Sequence, residues 1–122
     1  MIELRKEDFS IDEIVGKMKQ PDIGAISSYL GTVREFSSGN GLEFEEKQDA
    51  IQKLEEIAKR AINKFDIRDI AIIHRVGFLG ISENILLIAV SAPHRGPAFD
   101  ACRSIIDEIK ILHKSWGKET AE

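Results

Sequence analysis

The sequence predicts a protein of the α+β class. Helical and strand patterns interleave along the 122 residues without strict strand–helix–strand repetition. Two apolar, β-branched runs, 70–76 and 84–92, follow each other closely, which indicates neighbouring strands. A chain of this length can bury one sizeable core, and no repeat or linker divides it. We therefore expect a single domain over 1–122, with a mixed or antiparallel sheet and packed helices.

The first helix and the first long strand have clear signals. Ser10 and Glu13 form a capping box before an apolar stripe, which predicts a short helix that ends near Gln20. Residues 23–33 (IGAISSYLGTV) mix apolar, small and β-branched side chains, so we expect a strand there. Gly31 within it indicates a bulge or a close backbone contact.

The middle of the chain predicts a loop, a short strand and a long helix. Residues 37–41 (SSGNG) have the composition of a flexible loop, and 42–45 alternate like a short strand. Apolar residues then recur every three or four positions, which predicts a helix over 46–65.

The last third of the chain predicts two strands and a final helix. The strands are the apolar runs 70–76 and 84–92, separated by a connection over 77–83. The helix is expected from Pro97, because proline favours the first helical position. It should end near Leu112, with an irregular polar tail after it.

Composition and charge exclude several classes of protein. The net charge of −4 argues against a general nucleic-acid binder, whose surface is usually basic. No apolar run approaches the roughly 20 residues that a membrane span needs, and the charged N-terminal segment lacks a signal-peptide core. The one cysteine, Cys102, excludes an internal disulfide. We expect a cytoplasmic protein that contacts neither nucleic acid nor membrane.

His94 and Arg95 are the most promising polar residues, because they lie in a turn directly before the last predicted helix. A helix start offers unpaired N–H groups and the positive end of the helix dipole. An imidazole and a guanidinium at that place suit a phosphate or carboxylate. A histidine in a turn can equally be a hydrogen-bonded structural group, and the residues alone leave both interpretations open.

Other polar residues carry weaker signals. Arg34 follows a predicted strand, where it is either a solvated side chain or an anion-recognition group. Lys110 lies seven residues after Arg103 on one helix face; it is either solvated or an acid, base or nucleophile in a partly apolar pocket. His74 and Arg75 should point to opposite faces of a strand, with one of them buried and paired.

No metal site or nucleotide motif is present in the sequence. The histidines His74, His94 and His113 lack cysteine or helically spaced partners for zinc, and there is no phosphate-binding glycine loop. Cys102 falls on the apolar stripe of the last predicted helix, which indicates a buried thiol in the core. Trp116 is large and apolar, so we expect it to be buried although the tail around it is polar. The residues alone predict a small anion-binding domain.

Several motifs in one order resemble the large, catalytic subunit of molybdopterin synthase. The similarity covers nearly the whole chain from about Ile23, and it includes that family's GA…FxGxVR and IHRxG patterns. The matching segments are Gly24-Ala25, 29–34 (YLGTVR), 42–45 (LEFE), 73–77 (IHRVG), 91–95 (SAPHR), Ala98-Phe99, 106–110 (IDEIK) and Trp116.

The resemblance implies an α/β-hammerhead-type fold and a homodimer within a heterotetramer. Each such subunit binds a small ubiquitin-like sulfur-carrier subunit, whose C-terminal Gly-Gly thiocarboxylate enters the active pocket. The enzyme transfers sulfur to cyclic pyranopterin monophosphate and forms the molybdopterin dithiolene, a step of molybdenum cofactor biosynthesis. It uses no metal and no separate organic cofactor.

The resemblance also assigns roles by position. Arg34, His94 and Arg95 are expected to hold the pterin phosphate, with Arg95 acting across the dimer interface. Lys110 matches the family's pocket lysine, which orients the acyl carbon, stabilises negative charge and assists proton transfer. We add Arg103, on the same helix face, to the substrate-binding set.

The chain departs from the family pattern at the position of the family's second active-site lysine. With Trp116 aligned, that lysine falls on Gly117, so we expect the adjacent Lys118 to replace it as a catalytic residue. The family's Tyr and Met after the short strand appear as Lys47 and Ala50. Two alternatives follow: a relative that binds the carrier or a pterin phosphate without efficient turnover, and an anion-binding or structural dimer unrelated to pterins.

Overall fold

The computed structural model describes residues 1–36 and 39–120, and for 118–120 the backbone alone. Seven strands and three helices occur in this part of the chain, which confirms the α+β class. In chain order they are β1 (Ile2–Arg5), α1 (Ile11–Lys17), β2 (Ala25–Thr32), β3 (Gly41–Phe44), α2 (Gln48–Lys64), β4 (Asp69–Arg75), β5 (Gly77–Gly80), β6 (Asn84–Ala92), α3 (Arg95–Trp116) and β7 (Gly117–Thr120).

The strands form two sheets, and the larger one is mixed. Its order is β1-β4-β6-β2, with β1 parallel to β4 and the other pairs antiparallel. The smaller sheet has the order β5-β3-β7. In the larger sheet, β2 pairs with β6 from Ala25 opposite Ala92 to Thr32 opposite Asn84, and the register shifts between Gly31 and Thr32. The irregularity predicted at Gly31 is therefore confirmed.

Both faces of the larger sheet are buried, because side chains of β4 and β6 alternate between two apolar clusters. One cluster lies under α2 and α3 and includes Ile70, Ile72, Leu86, Ile88 and Val90. The other lies under α1 and includes Ala71, Ile73, Leu87 and Ala89. Burial on both faces explains why the β6 sequence is a continuous apolar run.

The covering helices follow their sequence signals. The Ser10 Oγ accepts a hydrogen bond from the Glu13 N–H at 3.3 Å, as expected of an N-cap, and α1 ends at Lys17. In α2 the buried residues recur on one face: Ala50, Leu54, Ile57, Ala58 and Ala61. No helix within 1–36 and 39–120 combines the length and the apolar character needed to cross a bilayer.

The prediction for the end of the chain was wrong. Instead of stopping near Leu112, α3 starts at Arg95, two residues before Pro97, and continues to Trp116. The expected irregular tail is the strand β7, which pairs with β3. Its sequence, GKET, has no apolar alternation, so backbone pairing with β3 gives it its conformation.

The sequence analysis also missed two other strands, β1 and β5, and the structure describes only part of the loop predicted over 37–41. The strand β1 is four half-buried residues held by β4, and the Met1 amino group donates to the Ile70 carbonyl at 2.9 Å. The strand β5 occupies the start of the connection predicted over 77–83. Of the loop predicted over 37–41, residues 37 and 38 lie outside the described residues.

The backbone at Gly24 passes too close to Pro93 for a side chain. The Gly24 N–H donates to the Ala92 carbonyl at 3.0 Å, and a Cβ added at Gly24 would lie 2.3 Å from the Pro93 carbonyl oxygen. This contact fixes the end of β6, directly before the turn that contains His94.

We expect Gly24→Ala to lower the free energy of unfolding by about 1–3 kcal/mol, because a backbone atom cannot yield to the new methyl group. The control is Gly16→Ala in α1, where nothing lies within 4 Å of an added Cβ; it should gain up to about 1 kcal/mol from helix propensity. Urea unfolding followed by circular dichroism measures both. A Gly24→Ala protein as stable as the wild type would contradict the close approach.

Candidate functional site

The start of α3 is a candidate anion site, made of His94, Arg95 and the backbone N–H groups of the first helical turn. His94 is the N-cap residue, with φ −132° and ψ 152°, and its side chain makes no capping hydrogen bond. Both side chains are exposed, and the first turn contains no acidic residue. The first N–H groups and the positive end of the helix dipole are therefore available to an anion.

Arg34 lies at the opposite end of β2 from this helix-start anion site. The chain there is fixed by Val33, whose N–H donates to the Glu83 carbonyl at 3.0 Å and whose carbonyl accepts from the Ser82 N–H at 2.7 Å. Arg34 is exposed and has no hydrogen-bond or ion-pair partner within the described ranges. Since Ala25 lies beside the end of β6, the seven-residue rise along β2 separates the two places by about 23 Å.

Lys110 borders a small cavity between α3 and β2, with a volume of about 100 Å³. We call this the Lys110 cavity. Eight residues line it: Tyr29, Gly31, Thr32, Ile85, Leu86, Ile106, Lys110 and His113. Thr32 in its wall is two residues before Arg34, so Arg34 and Lys110 belong to the same end of the molecule.

The helix-start anion site and the Lys110 cavity are separate within one chain. At a rise of about 1.5 Å per residue, Lys110 lies about 22 Å along the α3 axis from Arg95. The structure therefore brings Lys110 near Arg34 and leaves His94 with Arg95 at the far end. The predicted site residues therefore fall in two separate places on one chain, which we call the candidate half-sites.

The two remaining predicted site residues do not join the cavity. Arg103 is exposed on α3 and borders a shallow depression together with Asp100 and Asp107. It is absent from the lining of the Lys110 cavity and lies about 10 Å away along the helix axis. The Lys118 side chain lies outside the described part of the structure; its backbone pairs with Glu43 in the smaller sheet.

One residue that lines the Lys110 cavity, His113, belongs to a buried histidine pair. His74 on β4 is completely buried, and its Nε2 lies 2.8 Å from the Nε2 of His113 on α3. The His74 Nδ1 lies 2.6 Å from the Arg75 carbonyl oxygen, which can only accept. His74 therefore donates through Nδ1. The prediction that one of His74 and Arg75 is buried and paired is confirmed.

Burial keeps both imidazoles neutral at pH 7. Desolvation, and then the charge of a protonated His113, lower the pKa of His74 from 6.5 to about 3, although its hydrogen bond to the Arg75 carbonyl acts in the opposite direction. Desolvation, and then the nearby positive charge of Lys110, lower the pKa of His113 to about 4. A neutral His74 has a free lone pair only on Nε2, so His113 must donate its Nε2 proton to it.

Aromatic rings surround the pair and leave no room at Gly117. The Phe44 and His74 ring centres are 4.7 Å apart, and Trp116 lies 4.2 Å from His74. Trp116 is buried, as its sequence context required, and its Nε1 donates to the Glu45 carbonyl at 2.7 Å. A Cβ at Gly117 would lie 2.7 Å from the Phe44 ring. A lysine cannot occupy position 117 while Phe44 keeps this place.

Sequence reasoning missed the pairing of His113 with His74 because the helix was expected to end near Leu112, just before His113. On a helix that continues to Trp116, His113 lies one turn after Lys110, and i,i+3 neighbours share a face. Its partner His74 is distant in sequence. Cys102 is buried as expected, and burial raises the pKa of its thiol. No group of three or more potential metal ligands converges within 1–36 and 39–120.

Comparison with known proteins identifies the family. Residues 4–111 match the family model described as MoaE protein. The chain belongs to the MoaE protein family. It is 35% identical over 125 residues to a molybdopterin synthase catalytic subunit of Thermoplasma volcanium, covering 99% of this chain and 91% of that relative. A catalytic subunit of Pyrococcus abyssi is 37% identical over 122 residues, covering 97% and 82%.

Solved structures of MoaE family members share the fold. The crystal structure of molybdopterin synthase from Staphylococcus aureus superimposes with a TM-score of 0.86 at 32% identity, covering 99% of this chain and 91% of that one. The MoaE protein of Burkholderia ambifaria gives a TM-score of 0.82 at 33% identity, covering 88% and 74%. The resemblance seen in the sequence motifs is confirmed.

The depressed pKa values of the histidine pair predict an acid-sensitive fold. Between about pH 6.5 and pH 4 the unfolded chain binds protons that the folded chain excludes, so stability falls as the pH drops through this window. From pH 7 to pH 5 we expect a loss of roughly 3–4 kcal/mol for both imidazoles together.

The matched comparison is the His113→Gln variant. Between pH 7 and pH 5 its free energy of unfolding should fall by about half as much as that of the wild type. Urea unfolding at pH 7, 6 and 5 measures the free energy of unfolding of both proteins, and the carboxylates common to both cancel in the difference. Parallel stability curves for the two proteins would rule out a depressed pKa at His113.

Proposed function

We propose that this chain, over residues 1–122, is the catalytic-subunit domain of a molybdopterin synthase. It takes sulfur from the C-terminal thiocarboxylate of a small ubiquitin-like carrier subunit and transfers it to cyclic pyranopterin monophosphate, in the cytoplasm and without a metal or organic cofactor. The observation that carries the proposal is Lys110 on an apolar-walled cavity, in a chain that belongs to the MoaE protein family.

The Lys110 cavity suits a thin acidic chain end. A volume of about 100 Å³ admits few side chains, but a Gly-Gly tail has none. Ile85, Leu86 and Ile106 form apolar walls, which strengthen the attraction between the Lys110 ammonium and a thiocarboxylate. The same ammonium then stabilises the negative charge that develops when the acyl carbon is attacked.

The separation of the two half-sites supports a site shared between two chains. A distance of about 22 Å along α3 is far longer than a tricyclic pterin phosphate. The phosphate therefore binds His94 and Arg95 of one subunit, while Arg34 and Lys110 of the second subunit hold the reacting end. In this arrangement Arg95 acts across the dimer interface, as its family position implies.

Exposed apolar side chains on the two sides of the β2 edge support the same arrangement. The strand β2 is an edge of the larger sheet. Leu30 on it is 39% exposed, and Phe99 on α3 is 61% exposed. Phe99 lies two turns before Ile106 on the same side of the helix, so it also faces the β2 edge. Unpaired backbone groups and large apolar side chains at one edge are typical of a surface that a second subunit covers.

We expect Lys110→Ala to reduce molybdopterin formation by about 10²–10⁴-fold, because it removes the charge that stabilises the transition state. The assay supplies cyclic pyranopterin monophosphate and a thiocarboxylated carrier and measures molybdopterin. The control is Lys114→Ala, an exposed lysine one turn further along α3, which should retain full activity. Binding of the carrier without any product from the wild-type protein would contradict the proposed function.

The shared site predicts complementation between two inactive variants. A Lys110→Ala subunit and a His94→Ala subunit, co-expressed with different tags, form mixed dimers in which one of two sites is intact. Random pairing in a two-fold dimer should restore roughly one quarter of wild-type activity. Purified mixed dimers that remain as inactive as either parent would show that each site is built from a single chain.

A further inference from the structure

We propose that His113 is the proton acceptor of the Lys110 cavity and that His74 orients it. This inference rests on the proposed function and assigns the base for its second half, in which water releases the sulfur from the carrier. Three features of the described residues carry it: the place of His113 in the cavity, its hydrogen bond to His74, and the accessibility of its other ring nitrogen.

His113 lies beside Lys110 and lines the same cavity. The two residues are one helical turn apart on α3, and the charge of Lys110 acts on the imidazole. The other lining residues are Tyr29, Gly31 and Thr32 of β2, the apolar Ile85 and Leu86, and Ile106 of the helix. Among these lining residues, His113 offers the only imidazole, the side chain most often used as a base near neutral pH.

The hydrogen bonds fix which nitrogen takes the proton. The Arg75 carbonyl requires a proton on His74 Nδ1, so the neutral His74 accepts through Nε2 from the Nε2–H of His113. The lone pair of His113 is thereby placed on Nδ1. The described residues contain one buried side-chain nitrogen or oxygen without a partner, the Ser91 Oγ. The His113 Nδ1 has no partner among the described residues and is not one of these buried atoms, so solvent reaches it.

Protonation of His113 at Nδ1 breaks neither hydrogen bond of the pair. Nε2 keeps its proton and continues to donate to His74, and His74 continues to donate to the Arg75 carbonyl. A proton placed on His74 Nε2 would instead face the Nε2–H of His113 and break the pair. The arrangement therefore directs a proton to His113 and holds its ring still while the proton arrives.

An anionic tail in the cavity adjusts the basicity of His113. Burial and the Lys110 charge lower its pKa when the cavity is empty. Among the side chains that the structure describes, the charge that acts on it is that of Lys110 on its own helix, and His74 from β4 is neutral. The thiocarboxylate of a bound carrier adds a negative charge. A thiocarboxylate that enters beside Lys110 offsets the ammonium and raises the pKa of His113. Once its sulfur has bonded to the pterin, the acyl group is neutral and this effect ends.

The proposed step is hydrolysis of the acyl–sulfur bond after the carrier's sulfur has bonded to the pterin carbon. Water loses one proton to His113 Nδ1, and its oxygen forms a bond to the acyl carbon. The carbon–sulfur bond breaks, the sulfur keeps the electron pair as a thiolate beside the Lys110 ammonium, and the carrier leaves as a carboxylic acid. That acid ionises to solvent, and His113 returns its proton to solvent.

The decisive variant is His113→Gln. The glutamine amide can donate to His74 Nε2, so it preserves the buried hydrogen bond but cannot accept a proton at neutral pH. We expect about 10²-fold slower turnover with unchanged carrier affinity, since base catalysis contributes at least this much. Lys114→Ala, on the same turn of α3, is the control with wild-type turnover. A His113→Gln enzyme with wild-type turnover would overturn the proposal.

A second variant separates proton transfer from positioning. His113→Ala should be as slow as His113→Gln. Imidazole added to the buffer should restore part of its activity. The restored activity should decrease as the pH falls below the pKa of free imidazole, because protonated imidazole cannot accept a proton. Failure of imidazole to restore any activity to a folded His113→Ala protein would also overturn the base role.

Nitrogen NMR distinguishes failure of the proposal from failure of the proposed function. In the isolated protein, His113 should show a protonated Nε2 and an unprotonated Nδ1, and Lys110→Met should raise the pKa of His113. The opposite tautomer overturns the proposal even in an active enzyme. A wild-type protein that makes no molybdopterin overturns both, whereas an active wild type with an unaffected His113→Gln overturns the base role alone.

Discussion

The double burial of β6 is the constraint on which the rest of the molecule depends. This strand is paired with β2 and β4 along its two edges and covered by apolar clusters on its two faces. Its length cannot change without moving both neighbours. One end of β6 leads into the helix-start anion site, and the other end forms a wall of the Lys110 cavity. The distance between the half-sites is therefore set by the length of this buried strand.

The sequence predicted the elements that bury apolar side chains. It missed the short strands whose conformation depends on pairing with a strand remote in sequence. The helix α2 and the strand β6 have strong periodicity, and both appear close to their expected bounds. The strands β1, β5 and β7 have four residues each and few apolar positions. Each is defined by hydrogen bonds to a partner that is remote in sequence, and no local pattern encodes such a partner.

The candidate site was predicted as a set of residues but not as an arrangement. Residue types and motif order were enough to name Arg34, His94 and Lys110. Their separation depends on the antiparallel pairing of β2 with β6 and on the length of α3, which the sequence pattern placed too short. The pairing of His74 with His113 joins two elements 39 residues apart in sequence. Only the packed structure shows that these imidazoles are hydrogen-bonded to each other.

The contact between Gly117 and the Phe44 ring makes the two positions interdependent. A side chain at position 117 requires a different ring position at 44, and Phe44 also packs against His74 and Trp116. The two positions must therefore change together, since either change alone leaves a clash or a void. A side chain can therefore be introduced at 117 only together with a smaller residue at 44.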